Sequence, residues 1–69
     1  MTFSGDFYAK SDGEKTISDW GKSAGATPRQ IKTAQNSMRD QLAARGYTDG
    51  AAYHISGAWD GSHFTVTVS

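Results

Sequence analysis

AAYHISGAWDGSHFTVTVS, residues 51–69, is the stretch that decides the fold. Asp60-Gly61 lies between two alternating runs. A two-residue type I′ turn needs positive φ at both central positions, so this dipeptide is a strong hairpin signal. Before it, Tyr53, Ile55, Gly57 and Trp59 alternate with Ala52, His54, Ser56 and Ala58. After it, Phe64, Val66 and Val68 alternate with His63, Thr65, Thr67 and Ser69. Closing the loop on Asp60 and Gly61 sets Trp59 against Ser62, Gly57 against Phe64, Ile55 against Val66 and Tyr53 against Val68. The other face pairs Ala58 with His63, Ser56 with Thr65 and His54 with Thr67. A loop one residue longer would set Ser56 against Phe64 and Ile55 against Thr65, apolar against polar, so the pattern selects the two-residue turn. One face is buried and one is wet. Phe64 opposite Gly57 lets an aromatic ring cover the bare backbone that a strand glycine leaves.

Working outward, the chain of 69 residues is read as one small domain, 1–69, with balanced charge and no cysteine. Without cysteine there is no disulfide scaffold and no thiolate metal site. No apolar run has the length of a signal peptide or membrane span, so the expectation is a cytoplasmic protein with no membrane partner. A core this thin leaves room for a homodimer or for folding reinforced by a partner.

Thr2 to Lys10 reads as a first strand, with Phe3, Gly5, Phe7 and Ala9 on one face. Ser11-Asp12-Gly13 reads as its turn. A three-residue loop there would pair Lys10 with Glu14, Tyr8 with Thr16 and Phe7 with Ile17, giving a hairpin that runs to about Asp19. The competing reading is a short helix over residues 12–20. Ser11-x-x-Glu14 is also a capping box, and Ile17, Trp20 and Ala24 have helical spacing. Gly21 to Ala26 reads as a loop.

Thr27-Pro28-Arg29-Gln30 opens a helix of about residues 28–45: a cap, a proline at the first turn and a capping-box glutamine. Ile31, Ala34, Met38 and Leu42 make a narrow apolar stripe, and Gly46 is the left-handed stop. The architecture expected is α+β: a two-layer sandwich, two hairpins flanking one helix in the order ββαββ, with the helix on the apolar face of an antiparallel sheet.

Chemical motifs are sparse. His54 and His63 share a hairpin face, yet the derived register separates them by about 13 Å, too far to share an ion. Gly21-Lys22-Ser23 echoes the end of a phosphate-binding loop but lacks its upstream glycine. No triad context surrounds the serines. The expectation is a protein that is not an enzyme and takes no metal or cofactor.

Two surfaces invite a partner. Arg29, Lys32 and Arg39 cluster on the helix face opposite the apolar stripe, against the single acid Asp40, as a phosphate-contacting ridge would. Overall neutrality weighs against nucleic acid. Tyr8 and Trp20 have no core position in the hairpin reading, and Trp59 sits at the hairpin tip. Exposed aromatics of this kind build protein-binding patches. His54, Thr65 and Thr67 extend the patch over the wet face. The reading is therefore a protein-binding module, an accessory or inhibitor of the kind phages and mobile elements encode. Nucleic-acid binding through the basic helix is the alternative. Homo-oligomerisation through the last strand, where that strand is an edge, is a third reading.

Overall fold

The computed structural model describes residues 1–69. Its elements are β1 (Thr2–Phe7), α1 (Lys10–Ala24), α2 (Pro28–Ala44), β2 (Tyr53–Trp59) and β3 (Phe64–Val68). The strands form one antiparallel sheet in the order β1-β2-β3. Ile17 of α1 and Ile31, Ala34, Met38 and Leu42 of α2 pack on Tyr53, Ile55, Phe64, Val66 and Val68. Both helices therefore cover the same face of the sheet. The fold is α+β with an antiparallel sheet, as the alternation in residues 51–69 indicates. The ββαββ order with one helix is corrected to β-α-α-β-β with two.

The correction falls on residues 10–24. They form a helix longer than the competing 12–20 reading, and β1 pairs with β2 instead of a neighbour in sequence. Gly13, Ile17 and Gly21 are its buried residues, one turn apart on a single face. The Ser11-x-x-Glu14 box is not used. Ala9 occupies the N-cap position and has no side-chain oxygen to offer. The Lys10 amide instead donates to the Asp49 carboxylate at 3.0 Å, a cap supplied from a distant loop. Two further bonds secure the junction: Gly50 N–H to the Tyr8 carbonyl and the Tyr53 hydroxyl to the Ala9 carbonyl, each 2.7 Å. Residues 21–26, expected as a loop, hold the last turn of α1 and its stop. Gly25 has φ 99°, and the Ala26 amide returns to the Gly21 carbonyl in a Schellman motif. Helix α2 follows expectation, with the Thr27–Gln30 capping box formed and Gly46 left-handed at its end.

The 51–69 hairpin forms with its faces as read, but its register is displaced by two. Trp59 pairs with Phe64, Gly57 with Val66 and Ile55 with Val68. A type I′ turn at Asp60-Gly61 would need Asp60 at positive φ, and no residue other than glycine adopts it. The reversal moves to Gly61 and Ser62, where only Gly61, φ 95°, is left-handed. Asp60 Oδ1 accepts from the Ser62 and His63 amides and holds the turn. A shift of two preserves the side-chain parity, so Ile55 and Val66 stay on one side. The ring over Gly57 comes from Phe3 on β1, not from Phe64.

The expected free edge at β3 is occupied. The Gln41 carboxamide donates to the Val66 carbonyl and accepts from the Val68 amide, each at 2.8 Å, and Arg45 donates to the Val68 carbonyl. A side chain of α2 and that of its C-cap residue thus stand where a neighbouring strand would bond.

Close approach of α1 depends on its glycines. A Cβ at Gly13 would collide with the Tyr53 hydroxyl and lie 3.0 Å from Met38 Sδ. One at Gly21 would lie 2.8 Å from both Ile31 Cγ1 and Phe64 Cε2. Alanine gains about 1 kcal/mol of helix propensity over glycine, whereas overpacking costs about 1–3 kcal/mol. Gly13→Ala also displaces the Tyr53–Ala9 bond. We therefore expect Gly13→Ala to lower stability by about 1–3 kcal/mol and Gly21→Ala by up to about 2, read as a lower urea midpoint. A midpoint raised in both variants would contradict the packing described.

Candidate functional site

The helices leave the second face of the sheet uncovered, and strand register arranges it in rows. Thr2, Ala58 and Thr65 align across the three strands, then Ser4, Ser56 and Thr67. Asp6 and His54 begin a third row. Small side chains leave a shallow depression of about 560 Å³ between the first two rows. The chain carries seven acidic and seven basic side chains, and only Asp6 lies on this face. Its Oδ1 meets His54 Nδ1 at 2.8 Å. The other charges lie on helices, in their connecting loops and at the hairpin tip.

The structure brings together His54, Thr65 and Thr67 on this face, as the alternation requires. Thr65 and Thr67 are exposed and His54 is half-buried. Tyr8, just beyond the end of β1, is 64 % exposed. Trp20 is elsewhere. As part of α1 it is half-buried on the helix-covered side, with its ring centroid 4.8 Å from Phe3 and 5.5 Å from Phe64. Trp59 is also half-buried and stands edge-on to Phe64 at 6.5 Å. Both tryptophans flank Phe64 at one end of the core, and of the three aromatic candidates only Tyr8 is largely exposed. His63 lies in the hairpin turn and is exposed.

The basic ridge on α2 is divided. Arg29 and Lys32 are exposed and carry no ion pair. Arg39 is committed to Glu14 of α1, with Nε to Oε1 at 2.9 Å and Nη2 to Oε2 at 2.6 Å. This bidentate contact, supported by Gln35 donating to the Glu14 carbonyl at 2.9 Å, ties the two helices together. The hydrogen bonds from Arg39 hold the Glu14 carboxyl below its ordinary value of 4.5. Asp60 is held low as well, chiefly by the His63 and Ser62 amides. A second, smaller depression of about 280 Å³ lies between the start of α2 and the hairpin tip, near Arg29, Thr33 and His63. Gln30 crosses it to the Ser62 carbonyl at 2.9 Å.

Sequence reasoning missed Glu14, Gln41 and Asp49, whose roles depend on elements distant in sequence. The only local signal among them was Glu14, read as a capping-box residue. No three His, Asp or Glu side chains gather as a metal-binding cluster, and no helix is long and apolar enough to cross a membrane. No protein-family model, curated protein or solved structure matches the chain.

The Glu14–Arg39 contact sets an acid limb to stability. A carboxyl whose folded pKa lies below its unfolded value stabilises fully above the unfolded value, and that stability is lost as pH falls through the folded one. We expect the urea midpoint of the parent to fall below the ordinary carboxylate value of 4.5. Glu14→Gln should fall less steeply there, with a residual slope from Asp60. Parallel acid limbs in the two proteins would assign the acid response elsewhere.

Proposed function

We propose that the chain is a small, non-enzymatic protein-binding module whose contact surface is the uncovered sheet face, with Tyr8 at its end. It acts by occupying a partner's surface, as accessory and inhibitor proteins of phages and mobile elements do. One observation carries this reading. In a chain with a fifth of its residues charged, an entire sheet face is left with hydroxyls, alanine, one imidazole and the single carboxylate paired with it. Depletion of charge at the centre of a surface is one compositional mark of a protein interface and enrichment in aromatics is another, which Tyr8 supplies here at the end of the face. Small side chains in register also let a partner approach the backbone closely.

A phosphate backbone is a poorer fit to the molecule. The bare face has no lysine or arginine to neutralise phosphates, and the ridge on α2 has lost Arg39 to Glu14. Only Arg29 and Lys32 remain unpaired among the three expected contacts.

The test is affinity capture from the native host, identification of the retained protein by mass spectrometry, and comparison of variants against that protein. Ser56→Arg with Thr67→Arg places two cations on the face at exposed positions, where stability changes by within about 0.5 kcal/mol. Affinity should fall tenfold or more, about 1.4 kcal/mol. Arg29→Glu with Lys32→Glu should leave it unchanged. Loss in the helix variant and retention in the face variant would reverse the assignment in favour of α2.

A further inference from the structure

The two edges of the sheet are treated differently. On β3 the outward backbone groups of Val66 and Val68 are taken by Gln41 and Arg45. On β1 the phase is set by Met1 and Trp59, which exchange both backbone bonds at 2.8 and 3.0 Å. In an antiparallel ladder alternate residues bond to the same neighbour, so Phe3, Gly5 and Phe7 face β2. The N–H and C=O groups of Thr2, Ser4 and Asp6 point away from the sheet. No turn, loop, cap or side-chain hydrogen bond uses them. Of the usual guards against pairing the strand carries one charge, Asp6, and no proline, lysine or bulge between residues 2 and 7. Apolar exposure gathers along the same strand and at its two ends. Met1 and Tyr8 are the large hydrophobic residues left exposed, at 71 % and 64 %, and Phe3 and Phe7 are only half-buried.

We propose that β1 pairs with β1 of a second copy, antiparallel about a dyad at Ser4, joining two three-stranded sheets into one of six strands. The sequence of the edge is self-complementary in this register. Thr2 exchanges both backbone bonds with Asp6 of the second copy, Ser4 with Ser4, and Asp6 with Thr2. On the covered face Met1 falls against Phe7, and Phe3 against Gly5, so apolar meets apolar and a ring again covers a glycine. On the outer face a carboxylate meets a hydroxyl. The two Asp6 carboxylates lie four residues apart along the strands, about 14 Å, beyond the Debye length of about 8 Å at physiological salt. A slip of two residues in either direction loses a bonded pair. One direction also brings the carboxylates to about half that separation. The dyad stands perpendicular to the sheet, so both uncovered faces point the same way and become one continuous surface. The pairing does not depend on what that surface binds.

The experiment is a solution mass measurement by light scattering or sedimentation on the order of 100 μM, a level at which micromolar affinity fills the dimer. The intact chain should give twice its 7.4 kDa mass. Ser4→Pro removes an N–H that β2 does not use, which an edge strand tolerates, and it blocks strand addition. Its mass should fall twofold to that of one protomer, with the far-ultraviolet spectrum unchanged. Because the chain has no cysteine, Ser4→Cys gives an independent measurement. Bonded partners in an antiparallel ladder have Cα atoms about 5.5 Å apart, within disulfide reach. Oxidised Ser4→Cys should run as a dimer under denaturing, non-reducing conditions, and Asp6→Cys should not. A single-protomer mass for the intact chain, an undiminished dimer in Ser4→Pro, or equal cross-linking at positions 4 and 6 would each overturn the proposal. Capture through the outer face is read separately with the Ser56→Arg, Thr67→Arg protein, so either idea can fail alone.

Discussion

The absence of side chains at Gly13 and Gly21 is the constraint on which the molecule turns. These two positions flank Ile17 on the inner face of α1, each two turns from the other. With no Cβ at either, the helix backbone descends to the Tyr53 hydroxyl and Met38 at one end and to Ile31 and Phe64 at the other. Ile17 is thereby driven to complete burial. Helix propensity alone would not hold this segment, since glycine is among the poorest helix formers. Tertiary packing holds it, and the packing is available only to a chain that lacks these two methyl groups.

That close seating explains much else. Trp20, carried on the same helix, reaches Phe3 and Phe64 and closes one end of the core. Phe3 in turn lies over Gly57, fixing β1 to the central strand. At the other end Tyr47 stands edge-on to Tyr53 with centroids 5.0 Å apart. Arg39 and Glu14 clamp the two helices on the outside. With α2 set beside β3, Gln41 and Arg45 reach that strand's backbone. One edge is closed as a by-product of helix placement, and the other, which no helix side chain bonds, is left open.

The last third of the chain was legible because its signal is parity. A period of two assigns every residue from Tyr53 to Val68 to a face, and displacing the turn by one residue moves the register by two without changing any assignment. Helix α2 was legible because Thr27, Pro28, Gln30 and Gly46 are local punctuation. Residues 10–24 were not, for a physical reason. Their glycines mark close approach, yet in a sequence they look like a turn at 13 and a flexible loop at 21. Their cap, Asp49, belongs to a loop that no local window includes. The outer-face residues His54, Thr65 and Thr67 followed from parity. Trp20 followed the misread helix, and Arg39 could not be seen as engaged until α1 was placed beside α2.

The cap from Asp49 has a kinetic corollary. Lys10 waits for an acceptor 39 residues further along, and Ala9 for a hydroxyl 44 residues further. While the polypeptide is being made, the amino-terminal turn of α1 cannot be secured until all of α2 and most of the following loop have appeared. The front of the molecule is thus completed by its back. Ordering of the first helix is tied to closure of the whole chain instead of preceding it, which favours all-or-none assembly over stepwise growth from the amino terminus.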